Sequence, residues 1–137
     1  MEDKKPSLNK EERNILVKYR FEKAIESLEQ VKGVMGLKYW NIAANRLYYS
    51  AYYACSALLL NMGIETSTHK GVIRMISMKF VKEGILPLSD SQLLSRLFSM
   101  RQTGDYDDLM DWNEEDISPL IPHVEDFINR IKILLKD

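Results

Sequence analysis

The chain has 137 residues, of which 45% are hydrophobic and 28% charged, with a net charge of -1. That length and balance suit one globular domain with a core of its own, and they exclude a disordered or strongly basic nucleic-acid-coating chain. A single cysteine, Cys55 in the apolar run 54–60, excludes a disulfide framework and a cysteine-built zinc site.

Residues 1–8 are polar and are read as a flexible N-terminal segment ahead of one domain over residues 9–137. Neither a signal-peptide core nor an apolar run of about 20 residues is present, so the expectation is a cytoplasmic protein with no membrane span. Asn9 and Glu12 have the spacing of a capping box. After them Ile15, Leu16, Tyr19, Ala24, Ile25, Leu28 and Val31 recur at helical spacing, and Gly33 and Gly36 are expected to end this first helix.

A second helix is predicted from about Tyr39 to Met62, with Gly63 as its cap. It is apolar on most sides, with Trp40, Ile42, Ala43, Leu47, Tyr48, Ala51, Tyr52, Ala54, Leu58 and Leu59, as expected of a central helix. Thr66-Ser67-Thr68 offers caps for a third helix carrying Val72, Ile73, Ile76, Phe80 and Val81 and stopping at Gly84. Ser89 or Asp90 is expected to cap a fourth, with Leu93, Leu94, Leu97 and Phe98 along it. The acidic stretch Asp105 to Asp116 reads as a loop in its middle. A last helix carries Val124, Phe127, Ile128, Ile131 and Leu135, with Pro119 as its first residue and Pro122 awkwardly placed one turn on. No strand alternation and no repeat is evident. The fold class is therefore all-α, an antiparallel up-and-down helical bundle of about four or five helices.

Two constellations stand out. Asn45, Tyr48, Tyr49 and Tyr52 fall on one face of the second helix, with Arg46, Tyr49 and Tyr53 as an overlapping stripe. Polar groups on a buried helix need partners or a cavity. On the residues alone, a structural polar network accounts for them. Arg101 and Asp105, at i and i+4, can pair on the fourth helix. An ordinary surface pair accounts for that as well, and a phosphate site built from Arg101, Asn45 and Arg46 is the functional alternative. Of the two histidines, His123 reads as a solvated helix residue. His69 reads as part of a capping turn, with contact to a ligand as the alternative. The acidic run does not match a calcium loop, because Leu109 and Met110 occupy a ligand and the turn-glycine position. No metal and no cofactor is expected, and neither a nucleophile triad nor a glycine-rich phosphate loop is present.

The ordered segments Asn45-Arg46-Leu47-Tyr48-Tyr49-Ser50-Ala51-Tyr52-Tyr53-Ala54, Thr68-His69-Lys70-Gly71-Val72 and Arg101-Gln102-Thr103-Gly104-Asp105-Tyr106 resemble the HEPN domain family, over roughly residues 15–135. They are closest to its small stand-alone prokaryotic members. The resemblance implies an up-and-down bundle that commonly forms homodimers. In nuclease members an Arg is followed after four to six residues by a His, and the pair cleaves RNA without a metal across the dimer cleft. Arg101 matches the Arg, whereas the His positions hold Tyr106, Asp107 and Asp108. The resemblance also implies a frequent partner, a minimal nucleotidyltransferase in a toxin–antitoxin pair. The tyrosine modified in some such pairs corresponds to Asp108, with Tyr106 as the nearby hydroxyl.

Three functions follow as expectations. The first is a degenerate, non-catalytic HEPN module that binds a nucleotide or a partner protein through a polar cleft of Asn45, Arg46, Tyr49, Arg101, Asp105 and His69. The second is a ribonuclease toxin in which His69 replaces the missing histidine beside Arg101. The third is a purely structural dimerisation module.

Overall fold

A computed structural model describes residues 8–106 and 111–135, and the side chains among them other than those of 105 and 106. The described residues form helices α1 (Lys10–Gly36), α2 (Trp40–Asn61), α3 (His69–Ile76), α4 (Leu88–Tyr106), α5 (Glu114–Ile117) and α6 (Leu120–Leu135), with no strand among them. The bundle is all-α, as its sequence predicts. None of the described helices is long and apolar enough to cross a membrane.

The start of α1 follows the sequence expectation closely. The Asn9 side chain accepts from the Glu12 amide at 2.8 Å, and the Glu12 carboxylate accepts from the Asn9 amide at 3.0 Å. Its interior and its end differ from expectation. Ile15, Tyr19 and Ile25 are exposed, and the buried stripe is Val17, Ala24, Ser27, Leu28 and Val31. The helix also runs straight through Gly33 and closes at Gly36, and neither glycine makes the turn. That role falls to Lys38, the described non-glycine residue with positive φ (64°). Its amide bonds the Met35 carbonyl and the Tyr39 amide bonds the Val34 carbonyl, each at 3.0 Å, the paired bonds of a Schellman turn. A side chain in the left-handed region costs about 1 kcal/mol. Lys38→Gly is therefore expected to raise the unfolding free energy by about 0.5–1 kcal/mol, measured by urea denaturation.

Helix α2 ends in the same motif with the residue type it favours. Gly63 sits at φ 76°, and Gly63 and Ile64 donate back to Leu60 and Leu59 at 2.8 and 2.9 Å. This helix is central, as predicted, because it touches α1, α3, α4, α5 and α6. Ala43, Ala44, Ala51, Ala54 and Ala57 are all buried along it, which lets the neighbours approach closely. Ile42, expected in the core, is exposed instead.

Of the three caps the sequence offers, Thr68 is the one that caps α3, its hydroxyl accepting from the Gly71 amide at 2.9 Å. A Cβ on Gly71 would lie 2.8 Å from that hydroxyl oxygen, so the cap itself requires glycine there. The third helix does not continue regularly to Gly84. It widens into a π turn at Ser77–Val81, where the Lys82 amide reaches the Ser77 carbonyl at 2.8 Å. The extra residue per turn brings Phe80 into the core behind Val72 and Ile76.

Two further boundaries correct the sequence reading. Helix α4 begins at Leu88, so neither Ser89 nor Asp90 is its cap. Asp90 is inside the first turn, 1% exposed, and its carboxylate takes both Nε (2.9 Å) and Nη2 of Arg130 from α6. After Trp112 a one-turn helix α5 intervenes, capped reciprocally by Asn113 and Asp116. The last helix accordingly starts at Leu120 and not at Pro119. Pro122 falls in its first turn, where its missing amide has no partner to lose. The middle of the acidic stretch, residues 107–110, lies outside the described residues.

Candidate functional site

The α2 stripe, the start of α3 and the end of α4 meet on one side of the bundle. Tyr48 is buried in α2, and its hydroxyl shares a 2.6 Å hydrogen bond with Nδ1 of His69, the first residue of α3. The His69 ring stacks on Tyr52 with centroids 4.3 Å apart and planes 14° apart, and it meets Tyr49 edge-on at 5.9 Å. His69 is therefore more than the capping-turn residue its sequence position suggests. The Thr68 cap holds it in an aromatic cluster.

Arg101 approaches from α4. Its Nη2 donates to the Tyr49 hydroxyl at 3.1 Å, and its guanidinium lies 5.5 Å from the Tyr49 ring centre and 5.9 Å from that of Tyr48. Arg46 reaches Tyr49 as well, with its guanidinium 5.0 Å from the ring centre. Its Nε and Nη2 donate to the Asn45 side-chain oxygen at 3.2 and 3.0 Å, and Nη1 donates to Gln30 of α1 at 3.4 Å. Tyr49 thus serves both guanidiniums, and cation–π attraction adds to the hydrogen bonds that orient them. Of the predicted site residues, Asn45, Arg46, Tyr49, Arg101 and His69 come together. The Asp105 side chain, with its expected pairing to Arg101, lies outside the described residues, as does the side chain of Tyr106. His123 is exposed and takes no part.

Burial sets the protonation of the cluster. It pushes the Tyr48 phenol well above its ordinary range and the Tyr52 phenol up as well, so both keep their protons. His69 is pushed below the ordinary imidazole value, first by burial and second by the Arg101 charge. At neutral pH the imidazole is uncharged, and the direction of the Tyr48 bond decides its chemistry. If the phenol donates to Nδ1, then Nε2 carries the proton and acts as a hydrogen-bond donor. If Nδ1 donates to the phenol, Nε2 is a bare base.

The same shift makes stability depend on pH. The unfolded chain takes up the His69 proton near pH 6.5, whereas the folded chain takes it up only at lower pH. The contribution is complete above that value and is lost as pH falls through the folded pKa. His69→Gln is expected to lose less melting temperature than the wild type between about pH 7.5 and pH 5. Equal losses would show that His69 titrates as it does in the unfolded chain.

The sequence reading missed the part Asn41 plays. Its side-chain oxygen accepts from the Trp112 amide at 2.8 Å, and its Nδ2 donates to Asp111 at 3.1 Å. It fastens the segment after α4 to the first turn of α2, one turn before Asn45. The only signal in the sequence was its i−4 spacing from Asn45. Among the described residues no group of three or more His, Cys, Asp or Glu is placed to hold a metal.

The HEPN domain family's model matches residues 17–134, which include every element of this cluster. The chain belongs to the HEPN family. A UPF0332 protein of Thermotoga maritima is 33% identical over 126 residues, covering 92% of this chain and 96% of its own. Two Methanocaldococcus jannaschii proteins have names that propose a toxin. One is 32% identical and covers 81% of this chain and 76% of its own. The other is 31% identical and covers 83% of this chain and 84% of its own. In the sequence, Arg101 is followed by Tyr106, Asp107 and Asp108 at the positions where the resemblance led to the expectation of a histidine.

Proposed function

We propose that this chain is a HEPN module, one domain over residues 9–137, that binds a phosphate-bearing nucleotide ligand on the face formed by Arg46, Tyr49, Arg101 and His69. The observation that carries the reading is the convergence of two guanidiniums on Tyr49, whose ring also meets His69. Planar guanidiniums suit the paired oxygens of a phosphate, and with the Tyr48 phenol donating to Nδ1 the His69 Nε2–H supplies a further donor. The module is non-catalytic, because the family's histidine position is filled by other residues. It works as a homodimer in the cytoplasm and in a pair with a minimal nucleotidyltransferase; the names of the two archaeal relatives support the toxin part of that reading alone.

Isothermal titration of the full chain with ATP, AMP and a short RNA, with Arg101→Ala in parallel, tests this. The expected result is binding of at least one ligand, weakened about 10- to 100-fold in the variant, the range for loss of a charge-assisted hydrogen bond. The absence of heat with all three ligands would reject the phosphate reading and favour a protein partner.

A second reading is supported by the same bond at His69. With Nδ1 donating to Tyr48, Nε2 is a base close to Arg101, the two groups a metal-independent ribonuclease needs. It predicts RNA cleavage that Arg101→Ala and His69→Ala each abolish. Intact RNA after prolonged incubation with the wild type would eliminate it.

A further inference from the structure

Both tryptophans of the chain, Trp40 and Trp112, line one groove of about 430 Å3. Tyr39 and Ile42, both more than half exposed, complete its apolar wall, and Lys38, Asn41 and Asp111 supply its polar groups. The groove is built rather than incidental. Asn41 bonds both the Trp112 backbone and the Asp111 carboxylate. Trp112 rests directly on Gly104 of α4, where a Cβ would lie 2.8 Å from the indole nitrogen.

Both walls adjoin the helices, α2 and α4, that carry the phosphate face. Along α2, Asn41 is one turn from Asn45, the residue that holds the Arg46 guanidinium. Along α4, Gly104, which touches Trp112, is three residues from Arg101 and on the same helix face. Each path is about one helical turn, or about 5 Å. A ribose spans that gap between a base and its phosphate.

We propose that this groove is the base subsite of the ligand whose phosphate meets Arg46 and Arg101, and that it takes an amino-bearing purine. The inference rests on the phosphate reading above and specifies the rest of the ligand. Indole and phenol rings offer stacking surfaces that any base can use. The Asp111 carboxylate fixes the orientation, because it repels a phosphate and accepts from an exocyclic amino group. One of its oxygens already accepts from Asn41, and a carboxylate has capacity for more than one donor.

The test is titration of the full chain with AMP, GMP, IMP and ribose 5-phosphate, followed by calorimetry and by tryptophan fluorescence. AMP or GMP is expected to bind about ten-fold or more tightly than ribose 5-phosphate and to quench the emission, since both fluorophores line the subsite. IMP, which lacks the amino group, is expected to bind more weakly. Tyr39→Ser and Asp111→Asn, both at exposed positions, should weaken the amino purines and leave ribose 5-phosphate unchanged. Arg101→Ala should weaken all four ligands. If the purines bind no better than ribose 5-phosphate, or bind without changing the emission, the base subsite is overturned while the phosphate reading stands. Equal affinity for AMP and IMP overturns the amino-purine assignment. If none of the four binds, the subsite and the phosphate reading fall together.

Discussion

Arg130→Met is expected to lower the unfolding free energy by about 2–3 kcal/mol, between the cost of breaking a surface pair and that of breaking a fully buried one, because Asp90 is buried and Arg130 is partly exposed. The reason lies with the partner left behind. Asp90 is 1% exposed, and the Arg130 fork supplies two donors to its carboxylate. Removing the fork leaves the buried carboxylate without its two donors, although the amides of the first α4 turn offset part of the loss. The opposite change, Asp90→Leu, leaves Arg130 partly exposed and free to turn outward, so it is expected to cost less. The double variant Asp90→Leu/Arg130→Met should recover most of the stability, because an apolar pair of similar volume can replace a buried ion pair. Urea denaturation of the four proteins in one cycle checks this. A cost for Arg130→Met below about 1 kcal/mol, the level of a surface pair, would show that Asp90 finds water in the folded state.

The second large effect is expected at Tyr48, which is buried to 1% and touches Tyr49, Tyr52, His69 and Phe98 through its ring. Tyr48→Ala should cost about 3–5 kcal/mol, the range for truncating a buried aromatic side chain. It should also leave His69 without the surface that positions it. Tyr48→Phe keeps the ring and removes only the hydroxyl bonded to Nδ1. Its expected cost is about 1 kcal/mol, that of a single hydrogen bond. The pair of variants separates packing from chemistry. If Tyr48→Phe changes ligand affinity or RNA cleavage while the melting temperature barely moves, then the proton on His69 and not the shape of the cluster carries function. Unchanged activity in that variant would remove the hydroxyl from any functional account.

Much of this architecture was legible in the sequence because it follows from local rules. The Asn9–Glu12 box, the Gly63 turn and the Thr68 cap each depend on residues within a few positions of one another. The apolar surround of α2 identified the central helix in the same way. What could not be read was set by partners distant along the chain. Asp90 has the composition of a helix cap, and only the position of α6, which brings Arg130 to it, makes it a buried ion pair. Lys38 makes a turn that composition assigns to glycine, because the packing of α1 on α2 fixes the connection whichever residue occupies it. Ile15, Tyr19 and Ile25 have the right spacing for a buried stripe, yet the neighbouring elements cover the one containing Val17 and Ala24. The candidate site divided in the same way. The α2 face of Asn45, Arg46 and Tyr49 could be listed from its helical period. The entry of His69 into it depends on how α3 returns across α2, which no spacing in the sequence encodes.

The lone cysteine has a practical consequence. Cys55 is buried in the middle of α2, 1% exposed, and burial pushes its thiol far from the reactive thiolate form. A thiol reagent therefore meets it only when the helices around α2 separate. The rate at which the unmodified chain takes up such a label measures how often the bundle opens. A second cysteine placed on the surface would react ahead of it, so the wild-type sequence already serves as a background for attaching a single probe.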